Sequence, residues 1–471
     1  MASATPVTKQ LGKTLAVWTP EDKAFWQQQG KAIATINLWI SVPSLFLAFA
    51  VWQMWSAVAV NLPALGFKFT SNELFWLAAA PGLSGATLRI FYSFMVPVFG
   101  GRRWTAISTA SLLLPAIGIG IAVQDPTTSY ATLLGLALLC GFGGGNFASS
   151  MANINFFFPK ERKGSALGVN AGLGNLGVSG VQFLAPLVVA AGVYGPLAGG
   201  PQTIVRTSGE TAHIWAQNAA FVWVPFIVIF TIAAWIGMND IADARASVRE
   251  QAVIFRRKHN WLMCWLYLGT FGSFIGYAAG FPLLIKSQFP GVNALQYAWV
   301  GPLVGAAVRP FGGWLADKLS GARVTFWNFV VMTLAVAGVL WFLPTGGAGG
   351  SFAGFFACFM VLFLTTGIGN GSTFRMIPVI FLTERMRDAA GKGAAAEERA
   401  VKDANKEAAA VLGFTSAFAA YGAFFIPKSY GTSIALTGGP QAALYVFIVF
   451  YLTCIAVTWW YYSRRNAPMP C

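Results

Sequence analysis

The chain has 471 residues, of which 56% are hydrophobic and only 10% charged, whereas soluble proteins carry roughly 25% charged residues. No stretch is polar enough, for long enough, to form a separate soluble domain, so the chain reads as an all-α membrane protein. Its formal charge of +15 follows the loops rather than one face, which argues against a nucleic-acid partner.

Thr19-Pro20-Glu21-Asp22 reads as a helix start, with Thr19 as N-cap, Pro20 at N1 and Asp22 as a box-like acceptor. The segment 23–30 behind it is expected to lie along the membrane interface, anchored by Trp18, Phe25 and Trp26. Crossing a bilayer takes about 20 mostly apolar residues. Spans are predicted at 36–60, 74–98, 104–123, 131–157, 165–191, 215–238, 260–282, 294–316, 324–343, 352–382, 408–428 and 441–463. They divide the chain into an N-tail (1–35), a six-helix half (36–238), a linker (239–259), a second six-helix half (260–463) and a C-tail (464–471). The loop 383–407, rich in Ala, Lys and Glu, is read as a solvated linker, with a helix as the alternative.

Of the 31 Lys and Arg residues, 24 fall in the tails and the even-numbered loops, while the opposite loops hold only Lys68, Arg206, Lys286 and Lys428. The positive-inside rule then puts both termini in the cytoplasm. Cys140, Cys264, Cys358, Cys454 and Cys471 show no CxxC spacing, and the first four sit in apolar spans. They read as small buried hydrophobes, and no pattern calls for a metal or a cofactor.

The chain resembles itself. Gly141-Phe-Gly-Gly-Gly-Asn146 in span 4 is echoed by Gly367-Ile-Gly-Asn-Gly-Ser372 in span 10, 226 positions later, and Arg89 and Arg309 are 220 apart. Two parallel six-helix repeats with pseudo-twofold symmetry are the design this implies.

Arginine in mid-span costs at least about 2.5–3.5 kcal/mol on insertion scales. Arg89 and Arg309 would ordinarily be neutralised by a buried acid, yet all sixteen acids fall in tails, loops or span ends. Two such guanidinium groups call for a mobile anion bound on the pseudo-twofold axis, with helix-packing roles for both as the alternative. Their in-plane paired donors suit planar oxyanions, and aromatic faces on either side would reject tetrahedral ions by shape. Phe147 and Phe271 qualify for that role by position alone. Arg375, near the cytoplasmic end of its span, is expected to snorkel to the interface.

Small residues recur every three or four positions in Gly164-Ser-Ala-Leu-Gly168-Val-Asn-Ala-Gly172-Leu-Gly174-Asn175-Leu-Gly177-Val-Ser-Gly180, which allows close helix approach. Asn175 in that run is equally a substrate ligand or a structural hydrogen-bonding group. A Gly-rich phosphate loop would need a preceding strand, and none is available.

At these residues the chain resembles the nitrate/nitrite porter family of the major facilitator superfamily. The likeness is densest in Phe147-Ala-Ser-Ser-Met-Ala-Asn-Ile-Asn-Phe-Phe-Phe-Pro-Lys160, in the span-5 glycine run and in 367–376. Gly313-x-x-x-Asp317-x-x-x-Gly321-x-Arg323 resembles the loop motif of that superfamily, and Gly100-Gly-Arg-Arg103 a degenerate copy of it. The resemblance implies the major facilitator fold of 12 transmembrane helices and one substrate site between the halves. Arg89 and Arg309 are similar to its two arginines, and Phe147 and Phe271 to the aromatics that sandwich the anion. Asn175 and Tyr267 resemble its polar contacts, and Ser416 is a further carry-over. Arg375 departs from the uncharged residue expected there.

The resemblance implies either nitrate/nitrite exchange or proton-coupled nitrate uptake. Membrane proton relays use Asp, Glu or His, and His213 and His259 sit at span ends, so exchange is the reading adopted. Nitrate, nitrite and the lipid bilayer are the expected partners of a chain acting as a monomer in the bacterial inner membrane. No HExxH, Ser/His/Asp set or paired carboxylate lies inside the spans, which argues against an enzyme. An anion channel or a nitrate sensor would share the arginine pair.

Overall fold

The computed structural model describes residues 10–11, 13–205, 211–242, 252–345 and 349–471. Arg206 and residues 243–251 of the expected linker lie outside the described residues. Among the described residues, eleven helices are long and apolar enough to cross a membrane. Numbered in chain order they are α1 (Lys23–Trp52), α2 (Ser71–Tyr92), α3 (Gly101–Ala122), α4 (Tyr130–Phe157), α5 (Lys160–Val189), α6 (Asn218–Gly237), α7 (Lys258–Gln288), α9 (Gly321–Phe342), α10 (Phe352–Ala389), α11 (Ala394–Thr437) and α12 (Gln441–Ser463). The helix α8 (Val300–Leu319) occupies the remaining predicted span and is less apolar, because Arg309, Pro310, Asp317 and Lys318 all belong to it. Each predicted span is overlapped by one of these helices.

The structure corrects several local readings. Asp22, not Thr19, caps the first helix: its carboxylate accepts from the Ala24 and Phe25 amides at 2.8 and 3.3 Å. The segment 23–30 is not a separate helix, because it runs directly into the first span as part of α1. Phe25 and Trp26 are buried. Trp26 packs into a cluster with Phe157 and Phe158 at the end of α4, and the Trp18 indole donates to the Phe156 carbonyl at 3.0 Å. These aromatics therefore fasten α1 to α4 instead of anchoring lipid.

Most of 383–407 is helical, since α10 and α11 both run past the predicted span ends and meet at a turn of four residues, 390–393. What stabilises the extension is charge. Glu407 is buried and pairs with Arg385 and, at 3.1 Å, with Arg257, which also reaches Glu384 at 3.4 Å. Lys428, predicted in a loop, is inside α11, with Nζ donating to Asn72 and Thr432 and lying 4.9 Å from the Trp76 ring centroid. Short strands also form. β1 (Gln10–Leu11), β2 (Thr14–Leu15) and β5 (Asp240–Ile241) make one sheet, and β3 (Gln202–Val205) pairs antiparallel with β4 (Thr211–Ile214).

The chain divides into two compact units, residues 1–68 with 83–246, and residues 69–82 with 247–471. In the first unit α1 packs along α4 and α5. A side chain at Gly177 of α5 would collide with the Phe46 carbonyl of α1, so only glycine allows the backbones this close. The same is not true of the whole glycine run: at Gly164, Gly168 and Gly172 a Cβ would meet nothing within 4 Å. In the second unit α7 is buried over nearly all of residues 266–285, with exposed residues toward both ends. Its Phe281 packs on Phe355, Phe359 and Phe363 of α10 with ring centroids 4.5–6.1 Å apart, geometry in which aromatic pairs attract beyond simple area burial.

The internal repeat extends to backbone conformation. Gly100 and Ser320, 220 positions apart, both have positive φ (86° and 82°) just before a helix. Beside Gly100 the Asp240 carboxylate accepts from the Arg102 amide at 2.9 Å and pairs with the Arg102 side chain at 3.3 Å. In the second unit Asp317 pairs with Arg375 at 2.5 Å, both about half exposed. Arg375 thus has a carboxylate partner of its own.

Candidate functional site

Arg89 leaves the last turn of α2 fully buried. Gly85 on α2 and Gly144 on α4 bring these helices so close that the Gly144 carbonyl accepts from Arg89 Nε at 2.9 Å. The guanidinium carbon lies 4.9 Å from the Phe147 ring centroid and 5.1 Å from that of Trp52. Contacts of this length attract a cation to the ring face, by ~2 kcal/mol or more once water is excluded. Phe147 is itself steadied edge-on by Phe49, 6.0 Å away.

The second unit builds a similar environment from other elements. Arg309 stands on α8 just before Pro310 and is buried. Its Nη2 donates to the Tyr267 hydroxyl at 3.1 Å, and its guanidinium carbon lies 5.5 Å from the Phe374 ring centroid. Nη1 is buried without a hydrogen-bond partner among the described residues. Tyr267 and Phe271 stack with centroids 5.5 Å apart and planes 14° apart. The five residues from Leu268 to Gly272 form a π-helical segment within α7, a widened turn of a kind frequent at functional sites. It sets Phe271 parallel to Tyr267.

The predicted residues therefore fall into two groups, Arg89 with Phe147 and Arg309 with Tyr267 and Phe271. Asn175 is buried in α5, and its Oδ1 has no hydrogen-bond partner among the described residues. Ser416, buried in α11, donates to the Gly413 carbonyl of its own helix at 3.0 Å. Trp52 and Phe374 were not anticipated. Phe374 lies one position past the repeat equivalent of Phe147, which is Thr373, so the internal repeat points to its neighbourhood without naming it. Trp52 has no comparable signal. Each group offers a cation, an aromatic face and neutral polar atoms, a combination that attracts and orients a flat anion.

Comparison with known proteins agrees with this chemistry. Residues 44–396 match the family model described as Major Facilitator Superfamily. The chain is 52% identical over 452 residues to the nitrate/nitrite transporter NarU of Salmonella typhimurium, covering 96% of both chains. It is 53% identical to NarU of Escherichia coli, covering 95% of this chain and 96% of that one. A protein of Thermus thermophilus named as a probable nitrate/nitrite antiporter is 40% identical, covering 98% and 99% of the two chains. Among solved structures, a bacterial homologue of the lysosomal transporter Spinster superposes with a TM-score of 0.58 at 14% identity, covering 89% of this chain and 95% of that chain. The nucleoside transporter NupG does so at 0.57 and 10% identity, covering 90% and 98%. At such identities the likeness is one of fold.

Proposed function

The chain belongs to the nitrate/nitrite porter family of the Major Facilitator Superfamily, and from that premise we propose that it exchanges nitrate for nitrite across the bacterial inner membrane. The observation that carries this reading is the matched setting of Arg89 and Arg309, each buried beside an aromatic face and a neutral polar partner. Guanidinium groups present paired in-plane donors to a planar oxyanion, and the rings favour a flat guest. The names of the relatives then supply which planar oxyanions they are.

Exchange follows from what the anion does to the carrier. Substrate held by these guanidinium groups offsets part of the carrier's buried positive charge, which the unloaded form leaves uncompensated. Return without cargo is then slow, and influx becomes tied to efflux. None of the seven candidate residues is Asp, Glu or His, the groups of which membrane proton relays are made. The basic residues flanking the helices support cytoplasmic termini. One chain contains both arginines, which supports action as a monomer.

The test is nitrate uptake into proteoliposomes preloaded with nitrite or left unloaded, at fixed pH and zero potential. Uptake that needs internal nitrite is the expected result. Uptake into unloaded vesicles, accelerated by an inward proton gradient, would replace exchange with proton symport. Uptake without trans-stimulation or saturation would indicate a channel.

A further inference from the structure

Away from the arginines, the first unit contains a small cavity between α1, α3 and α4 whose lining is polar at every position except Leu45. Two of the lining atoms, Thr109 Oγ1 and Asn146 Oδ1, are buried and have no hydrogen-bond partner among the described residues. The residues that carry them are 1% and 5% exposed. The neighbouring hydroxyls have no proton left for Asn146, because Ser44 donates to the Ile40 carbonyl at 2.8 Å and Ser149 to the Asn146 carbonyl at 3.2 Å, and neither accepts from Thr109.

The hydrogen-bonding needs of the two atoms are complementary. A threonine hydroxyl must donate, and an amide oxygen must accept. A single water satisfies both at once, accepting from Thr109 and donating to Asn146. Its second hydrogen then has the lone pairs of Ser44 or Ser149 to turn to. The cavity measures about 10 Å³ when counted as the space open to the centre of a water molecule, which is room for one water. Nitrate or nitrite does not fit. We infer that Thr109 and Asn146 hold a resident water that joins α3 to α4.

The position gives the water a structural task. Asn146 immediately precedes Phe147, and Gly144, whose carbonyl takes the Arg89 hydrogen bond, is two residues before it. The water braces the back of the helical turn whose front meets the arginine. This inference rests on the cavity and its orphaned atoms, and stands or falls independently of the substrate.

The experiment is hydroxyl-radical footprinting by pulsed X-rays on the full chain in nanodiscs, after rapid mixing into heavy-oxygen water. Peptides bearing Thr109 and Asn146 are expected to be labelled and to take up heavy oxygen more slowly than the loop at 125–129. Thr109→Val and Asn146→Leu should each abolish that slow label, and Thr109→Ser should keep it. Labelling that exchanges at the bulk rate, or that survives both apolar substitutions, would overturn the inference. Because the apolar variants can be misfolded, melting temperature is read in parallel on the wild type and on each variant. A rise in the wild type and in Thr109→Ser when sodium replaces choline, absent in Thr109→Val, would assign the cavity to a cation and overturn the water; no difference between the salts is expected.

Discussion

Arg89 donates through Nε to a backbone carbonyl, and Arg309 donates through Nη2 to a tyrosine hydroxyl. Lysine keeps the charge at either position but loses the planar fork and the simultaneous hold on that neutral partner. Hydrogen bonds to charged groups contribute about 1.5–3 kcal/mol, so Arg89→Lys and Arg309→Lys should each weaken nitrate counterflow by about ten- to a hundredfold, read as the rise in half-saturation or the loss of rate. Phe374→Leu should resemble Phe147→Leu, each weakening nitrate binding several-fold, since a cation–π contact is worth about 0.5–2 kcal/mol. An effect at Phe147 with none at Phe374 would show that the two groups are not equivalent. Arg375 supplies the contrast, because its pair with Asp317 is half exposed. Pairs of that kind contribute about 0–1 kcal/mol, and Arg375→Gln should leave the half-saturation concentration for nitrate unchanged. The sequence made the arginines legible because charge inside an apolar span is conspicuous. It did not make Trp52 legible, because one aromatic among many carries no mark of the cation beside it.

Helices show where pattern is a sufficient guide and where it is not. All the predicted spans were legible, since a run of about 20 apolar residues has few other uses. Their ends were less so. The α10–α11 extension carries a polar composition that reads as linker, yet its Ala, Glu and Lys are strong helix formers, and the buried Glu407 with Arg257 and Arg385 ties it down. The π-helical segment in α7 left no compositional trace at all. Small-residue spacing in α5 predicted close packing throughout, yet the structure uses only its later part. Two substitutions separate these cases. Gly177→Ala drives a methyl group into the Phe46 carbonyl and should lower the melting temperature markedly. Gly168 is exposed, and a Cβ there would meet nothing within 4 Å. Gly168→Ala should therefore be neutral or stabilising by up to about 1 kcal/mol, the helix-propensity difference between the two residues, in the same thermal assay. A drop at Gly168 as large as that at Gly177 would contradict the packing described for α5.

On the scale of the whole chain, the repeat is read at three levels: in sequence between 141–146 and 367–372, in backbone at Gly100 and Ser320, and in side-chain setting at Arg89 and Arg309. Repetition of a setting makes a prediction that neither arginine makes alone. If both guanidinium groups act on the same anion, removing the second after the first should cost less than removing it from the intact chain, as happens when residues work as a unit. The double variant Arg89→Lys with Arg309→Lys should then lose less than the product of the single losses; losses that multiply would indicate two independent sites. The charge of the pair adds a second expectation. Arginine stays protonated well above neutral pH, so a site built on guanidinium groups has no carboxylate or imidazole to titrate. Nitrate/nitrite counterflow measured without a proton gradient should accordingly stay level between about pH 6 and pH 8. A steep change across that interval, retained when internal and external pH are equal, would require a titrating group in the transport cycle and would count against exchange by the arginines alone.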